Sequence, residues 1–176
     1  MEYAKQLQGL RANLSGKRFE RMLEIACDHY RHEGLAKIEK TPEPMKPLRR
    51  PNNDGRFLAC YTKQAQPDFG GTICGGRSIV FEAKHTDSGR IEQERLTREQ
   101  MEDLETHYIM GAYACVMVSL SFQQFYRVPW PVWREMKPIY GRKYITREEL
   151  EQYKLRAPGG IIRFLDGLLP QKKVQP

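Results

Sequence analysis

The feature that most restricts the fold is a run of nine almost entirely apolar residues, AYACVMVSL, at Ala112–Leu120. A run of this kind is typical of a β-strand buried on both faces, because a half-exposed strand alternates apolar and polar residues. Such a strand needs a covering layer on each side of its sheet. The run therefore predicts a central strand of a sheet that is covered on both faces.

Helix signals lie on both sides of this run along the chain. An apolar stripe at helical spacing predicts a first helix that starts at Ser15 and ends at Gly34. A short strand is expected directly after it, at 35–40. Two capping-box sequences predict two later helices. The first box is Thr97 with Gln100, and the second is Thr146 with Glu149.

The two ends of the chain lack such signals. Residues 1–14 are polar without a clear period and predict a flexible arm, while residues 155–176 predict a C-terminal tail. We therefore expect one domain at 15–154.

A proline-rich excursion interrupts this domain at about 41–63. Four prolines within Thr41–Arg56 exclude a helix or a central strand, and the segment Asn52–Gly55 predicts a turn at the tip. The excursion carries five basic and two acidic residues. From composition alone, a solvated loop and a DNA-contacting arm are equally open.

Charge and cysteine content narrow the class of protein. The 176 residues carry a formal net charge of +7, which favours a polyanionic partner such as nucleic acid. Four cysteines stand far apart without a zinc-finger spacing, so we expect reduced thiols and a cytoplasmic location. Neither a membrane-spanning run nor a signal-peptide core is evident, so no membrane partner is expected.

The residues that indicate chemistry are Asp68, which follows Pro67, and the pair Glu82 and Lys84 in a second predicted strand. Residues two apart on a strand share a face, so Glu82 and Lys84 point the same way. An exposed strand would carry them for solubility alone, but a central strand makes unpaired charge costly. Two carboxylates on one Mg²⁺, beside an ammonium that orients water, would offset that cost and support phosphodiester hydrolysis.

This site makes a demand on the hairpin between the two strands. A two-residue turn at Gly75-Gly76 would place Asp68 on the face away from Glu82. A three-residue loop, Cys74-Gly75-Gly76, would place the two carboxylates opposite each other, as would a bulge elsewhere. We expect the three-residue loop or a bulge.

The residues also resemble a known family, the RecU type of Holliday junction resolvase within the PD-(D/E)XK nuclease superfamily. The resemblance runs in order from about residue 16 to 135. It implies an α/β, restriction-endonuclease-like fold in which helices flank a mixed central sheet and a proline-rich stalk projects. The stretches that carry it are GKRFERMLEIACDHY (16–30), IEK-TPEP (38–44), YTKQAQPDFGG (61–71), GGRSIVFEAKHT (75–86), the helix around Arg98–Met101, GAYACVMVSL and FYRVP (111–129).

The resemblance implies a role for five residues. Asp68 and Glu82 match the metal-binding carboxylates, and Lys84 matches the catalytic lysine. Glu20 matches an acidic residue on the first helix, although an ordinary solvated helix face would explain it locally. Gln100 matches a glutamine on the helix after the Glu-x-Lys strand, although its capping box with Thr97 is explanation enough.

The excursion corresponds to a stalk that projects toward the centre of the junction. This favours DNA contact for its basic residues, which are Lys46, Arg49, Arg50, Arg56 and Lys63. A second basic stretch, residues 127–147, carries six basic residues and one acidic residue. It either follows phosphates or forms a solvated surface.

The function implied is a Mg²⁺-dependent endonuclease that resolves four-way DNA junctions, with Mn²⁺ as a substitute ion. A homodimer is expected, because two symmetric cuts need two matched sites. The alternatives are a nuclease of the same superfamily that acts on linear or flap DNA, and a non-catalytic DNA-binding protein that keeps the fold.

Overall fold

The computed structural model describes residues 2–42, 45–48, 54, 58–61 and 66–169. Its helices are α1 (Glu2–His32), α2 (Arg98–Ile109), α3 (Trp130–Arg134), α4 (Met136–Tyr140) and α5 (Arg147–Leu150). Its strands are β1 (Ala36–Lys40), β2 (Met45–Pro47), β3 (Ala59–Tyr61), β4 (Phe69–Ile73), β5 (Ser78–Thr86), β6 (Arg90–Glu92), β7 (Tyr113–Leu120), β8 (Gln124–Pro129), β9 (Tyr144–Thr146) and β10 (Lys154–Leu155).

Six of these strands form the main sheet of the described chain, in the order β1-β4-β5-β7-β8-β10. The central pair β5 and β7 is parallel, and the other neighbours are antiparallel. Because α2 lies between β5 and β7 in the chain, it provides the crossover that a parallel pair needs. The predicted fold class, a mixed central sheet flanked by helices, is confirmed.

Two apolar cores cover the two faces of the sheet. Cys115 and Met117 of β7 belong to the core beneath α1, while Val116 and Val118 belong to the core beneath α2 and α3. All four side chains are buried. The apolar run at Ala112–Leu120 is therefore a strand covered on both faces, as its sequence predicts.

The first helix is longer than predicted, since α1 begins at Glu2 and not at Ser15. Residues 9–14 of this helix are exposed, whereas Phe19 and Leu23 are buried in the core. The apolar period reports burial, not helicity, so it begins only where the helix reaches the sheet. The backbone of α1 thus extends through residues 2–14 of the predicted flexible arm.

The C-terminal region also differs from the prediction of a tail. Ile162, Phe164 and Leu165 are fully buried in the core beneath α1. The amide of Leu165 donates a hydrogen bond to the Tyr30 hydroxyl at 3.1 Å, which ties the segment to α1. The segment has no regular period because its backbone follows turns, so pattern analysis missed it. Residues 170–176 lie outside the described part of the chain.

Within the predicted excursion, β2 and β3 pair as an antiparallel ribbon separate from the main sheet. A two-stranded ribbon has only edge strands, where Pro47 is tolerated. In the described part of the chain, no helix is both long and apolar enough to cross a membrane.

Candidate active site

The hairpin of β4 and β5 sets the register on which the site depends. Phe69 pairs with Phe81 and Thr72 with Ser78, and Ile73 donates a backbone hydrogen bond to Arg77 at 3.0 Å. The loop is thus the three-residue Cys74-Gly75-Gly76, with φ of +93° and +87° at its two glycines. These positive values favour glycine. The expected loop is confirmed, and the same register places Asp68 opposite Glu82.

Main-chain hydrogen bonds hold Asp68 at the mouth of the hairpin. The amide of Ala83 on β5 donates to Asp68 Oδ2 at 2.8 Å, and the amide of Thr41 donates to the Asp68 carbonyl at 2.9 Å. The first bond turns the carboxylate toward β5, and the second joins Asp68 to the end of β1. Asp68 keeps 26% of its side chain exposed, so substrate and solvent can reach it.

Glu82 and Lys84 lie beside Asp68 on the β5 face that α2 covers. Lys84 Nζ is 2.8 Å from Glu82 Oε2 and 3.8 Å from Asp68 Oδ2. Only 1% of the Glu82 side chain and 15% of the Lys84 side chain are exposed. The structure therefore brings together the three residues that the sequence selected, on one face as predicted.

Gln100 completes this group from the first turn of α2. Its Nε2 donates to Glu82 Oε2 at 2.7 Å, while its Oε1 accepts from the Thr97 amide at 3.1 Å. One side chain thus caps the helix and contacts the carboxylate. From the sequence, the helix cap and the site contact were alternative explanations for Gln100. In the structure the amide oxygen makes the cap and the amide nitrogen makes the contact with Glu82, so both hold. We call Asp68, Glu82, Lys84 and Gln100 the carboxylate cluster.

Glu20 lies near this cluster through a partner that the sequence did not single out. Lys40, the last residue of β1, places its Nζ 2.6 Å from Glu20 Oε2. This hydrogen bond raises the pKa of Lys40, with smaller contributions from the charges of Glu24 and Asp68. Because Thr41 bonds to Asp68, Lys40 connects Glu20 to the mouth of the site. The signal for Lys40 was its place in the IEK-TPEP stretch.

The electrostatics of the cluster disfavour the ionised form of Glu82. Burial raises the pKa of Glu82 well above its usual range, and the adjacent Asp68 carboxylate raises it further. Lys84 acts in the opposite direction but does not cancel these effects. The two carboxylates are therefore held together at a cost that a cation would relieve.

The donor set fits a hard divalent cation. Two carboxylates share one partly open site, and oxygen ligands of this kind are those that Mg²⁺ prefers. No cluster of three or more His, Cys, Asp or Glu side chains suited to a metal occurs among the described residues. Further ligands would have to be water or substrate oxygens, which is usual for Mg²⁺.

The predicted DNA-contacting residues are placed less completely. Lys46 is exposed on β2, in the ribbon of the stalk. The other four predicted stalk residues lie outside the described part of the chain, and they are Arg49, Arg50, Arg56 and Lys63.

The basic stretch 127–147 is engaged mainly within the fold. Arg134 pairs with Glu105 at 2.7 Å, and Arg142 pairs with Glu149 at 2.7 Å. Arg147 donates to the Gln124 side chain at 2.9 Å. The charges of Arg134 and Arg142 are thus compensated by carboxylates, which weakens the interpretation that these two residues follow phosphates.

A mixed sheet in which Pro-Asp and Glu-x-Lys face each other across one hairpin is the arrangement of the PD-(D/E)XK nuclease superfamily. Residues 14–168 match the family described as RecU, Recombination protein U. This range covers most of the chain, so the protein belongs to the RecU family.

Individual relatives agree with this assignment. Two proteins from Streptococcus pneumoniae, of strains Hungary19A-6 and CGSP14, are each named Holliday junction resolvase RecU. Each is 30% identical over 114 residues, which are 62% of this chain. The matched part spans only 57% of the length of these relatives.

A solved structure offers a more distant likeness. It is Hjc, a Holliday junction resolvase from Archaeoglobus fulgidus, with a TM-score of 0.49 and 16% identity over 82% of this chain and 94% of that one. This similarity is too low to add to the family assignment.

Proposed function

We propose that this protein is an endonuclease that cuts phosphodiester bonds of four-way DNA junctions and depends on Mg²⁺ or a similar divalent ion such as Mn²⁺. The observation that carries the proposal is the register of the β4–β5 hairpin, which places Asp68 opposite Glu82 with Lys84 2.8 Å from the second carboxylate. A binding protein without catalysis has no use for buried carboxylates where phosphates would approach.

Each residue of the cluster has a distinct part in the proposed reaction. Asp68 and Glu82 would hold the metal, which supplies a more acidic bound water and stabilises charge on the phosphate. Lys84 would position the attacking water and offset the developing negative charge. Gln100 orients the Glu82 carboxylate through its hydrogen bond, and Glu20 fixes Lys40 near the entrance.

The choice of a junction as substrate is supported by the family and by the fold. The RecU relatives are named for this activity, and the β2–β3 ribbon lies in the chain between β1 and Asp68. Resolution needs two matched cuts, so we infer a homodimer. All four cysteines are free thiols, which supports a reducing cytoplasmic setting.

The test compares a mobile four-way junction with linear duplex, each with Mg²⁺ and with EDTA. The wild type is expected to cut the junction in a Mg²⁺-dependent way and to leave linear DNA largely intact, while Asp68→Ala does not cut. Asp28→Ala, which removes an exposed carboxylate of α1, is the matched control and should cut normally.

Other outcomes would replace the proposal. Equal cutting of both DNAs would indicate a nuclease for linear DNA. Tight junction binding without cutting in Mg²⁺ would indicate a binding protein. A purely monomeric mass in sedimentation, with junction present, would contradict the homodimer.

A further inference from the structure

We propose that a basic cavity at the far end of the sheet binds backbone phosphates of a DNA segment other than the one at the carboxylate cluster. This inference rests on the proposed function, because DNA is taken as the substrate. The cavity has a volume of about 350 Å³ and lies between the end of β8, strand β10 and the C-terminal segment. Its size suits a short stretch of sugar–phosphate backbone.

The charge of the lining is strongly positive. Four cations face this cavity with one carboxylate, Asp166. Arg156 forms a salt bridge with Asp166 at 2.6 Å, and Lys154 forms one with Glu151 at 2.8 Å. The remaining two cations are Arg127 and Arg163, and within the described residues neither forms an ion pair with a carboxylate.

Arg127 and Arg163 are held instead by contacts with carbonyl oxygens and an imidazole. Arg127 Nη1 donates to the carbonyls of Phe164 and, at 3.0 Å, Asp166. Arg163 Nη1 contacts His29 Nε2 at 2.6 Å, and the Arg163 amide donates to the Arg156 carbonyl at 2.8 Å. These contacts fix both guanidinium groups while leaving their charge uncompensated.

Partly buried cations without a counter-charge are costly, so an anion entering the cavity would relieve the cost. A guanidinium presents several N–H donors in a rigid plane that matches phosphate oxygens. Two such groups in fixed positions at one cavity are therefore suited to phosphate. The rim is open, since Arg156 keeps 82% of its side chain exposed, which suits a continuous backbone better than an enclosed small molecule.

The cavity is separate from the carboxylate cluster. Arg127 pairs with Met117, whose side chain lies in the core beneath α1, whereas Glu82 pairs with Val116 on the opposite face. Tyr113 at the cavity pairs with Ile79, three residues from Glu82, which is about 10 Å along the strand. The two strand spacings from β5 to β8 add about 10 Å sideways. A branched DNA, whose arms leave in different directions, can reach both places.

The experiment measures affinity for a labelled four-way junction in EDTA over a salt series. The variants are Arg163→Gln alone and Arg127→Gln with Arg163→Gln. The control is Arg31→Gln, which removes an exposed arginine of α1 outside the cavity. Each lost phosphate contact should lower the slope of log affinity against log salt by about 1, so we expect a change of about 2 for the double variant. Its affinity at low salt should fall by about tenfold or more.

The outcomes separate this inference from the proposed function. A wild type that binds the junction and variants with unchanged affinity and slope would overturn the cavity assignment alone. An equal loss of junction affinity in Arg31→Gln would overturn it too, because the loss would then depend on the net charge of the protein and not on the position of the arginine. A wild type that does not bind the junction would contradict the proposed function itself. If the double variant is unfolded by circular dichroism, Arg163→Gln alone decides.

Discussion

The carboxylate cluster and the basic stretch 127–147 are both conspicuous by charge in the sequence, but the fold treats them in opposite ways. In the cluster, Glu82 is buried beside a second carboxylate, and its pKa is raised. In the basic stretch, Arg134 pairs with Glu105 and Arg142 with Glu149. Hydrogen bonds from Trp130 and from the Thr146 amide lower the pKa values of Glu105 and Glu149 most, and the two arginines lower them further. The cluster thus holds Glu82 against the preference of its carboxylate, whereas Arg134 and Arg142 of the basic stretch are paired with opposite charges.

This difference separates a site from a stabilised surface. A group kept in an unfavourable state gains when the missing ion or substrate arrives, while a group with a fixed partner gains nothing more. The density of like charge along the chain does not distinguish the two cases. Burial and the adjacent Asp68 distinguish them, because they raise the pKa of Glu82 in spite of its partners, whereas the pKa values of Glu105 and Glu149 are lowered.

The largest effect is expected from Glu82→Gln. Loss of a metal-holding carboxylate should lower Mg²⁺-dependent junction cutting by about a thousandfold or more. The free energy of unfolding should stay equal or rise, because a neutral amide avoids the cost of burying the charge. Arg134→Gln should do the reverse, with lower stability and normal cutting. If Glu82→Gln lost both stability and cutting, the proposed difference between the carboxylate cluster and the basic stretch would be contradicted.

A smaller effect separates the two ends of the Gln100 amide. Gln100→Ala removes both its bond to Glu82 and its cap on α2, so cutting should fall by about 10- to 100-fold, as for other residues that orient metal ligands. Thr97→Ala removes a cap only and should cost about 1 kcal/mol of stability while cutting remains. Equal cutting by the two variants, measured after matched thermal melts, would reduce Gln100 to a capping residue.

The two regions should also respond to pH in opposite directions. Because the folded pKa of Glu82 is raised, the metal-free protein loses stability as pH rises from the ordinary value of 4.5 toward that raised value. Glu105 and Glu149 have lowered pKa values, so their contribution is present above 4.5 and is lost as pH falls below it.

Denaturant titrations of the wild type and Glu82→Gln without metal, over a pH series, measure this response. The loss at rising pH should disappear in the variant, while the loss at low pH persists. Mg²⁺ binding to the wild type should also release protons, which calorimetry in buffers of different ionisation enthalpy would count. A pH response of the variant identical to that of the wild type would rule out Glu82 as its source.

The smallest effect is expected from Arg142→Gln. Its pair with Glu149 is partly exposed, so stability should fall by less than about 1 kcal/mol, and junction affinity should not change. Lys143→Gln, at the exposed neighbouring position, is the matched control for net charge. A large loss of DNA affinity in Arg142→Gln alone would mean that Arg142 contacts phosphates in spite of its pair with Glu149.

The sequence predicted what local rules determine. Gly75 and Gly76 predicted the loop, alternation along β5 predicted the common face of Glu82 and Lys84, and the apolar run predicted the position of β7. These features depend on neighbours within a few residues, so they can be predicted from the local sequence.

What the sequence did not predict depends on contacts between distant segments. Phe164 fills the core beneath α1, although its surroundings show no regular period. Lys40 reaches Glu20 across the fold, at a separation of 20 residues. Residues 9–14 of α1 are exposed, so burial imposes no apolar period there that would reveal the helix. In each case the tertiary environment, not the local pattern, decides the outcome.

The loop Cys74-Gly75-Gly76 also restricts how the chain can change over evolutionary time. A residue gained or lost within β4 or β5 would turn one carboxylate to the opposite face of the sheet. The same change inside the loop alters only the turn, and leaves Asp68 and Glu82 facing each other. Single-residue length variation between these two positions should therefore accumulate at the loop, whereas in the stalk it carries no such restriction.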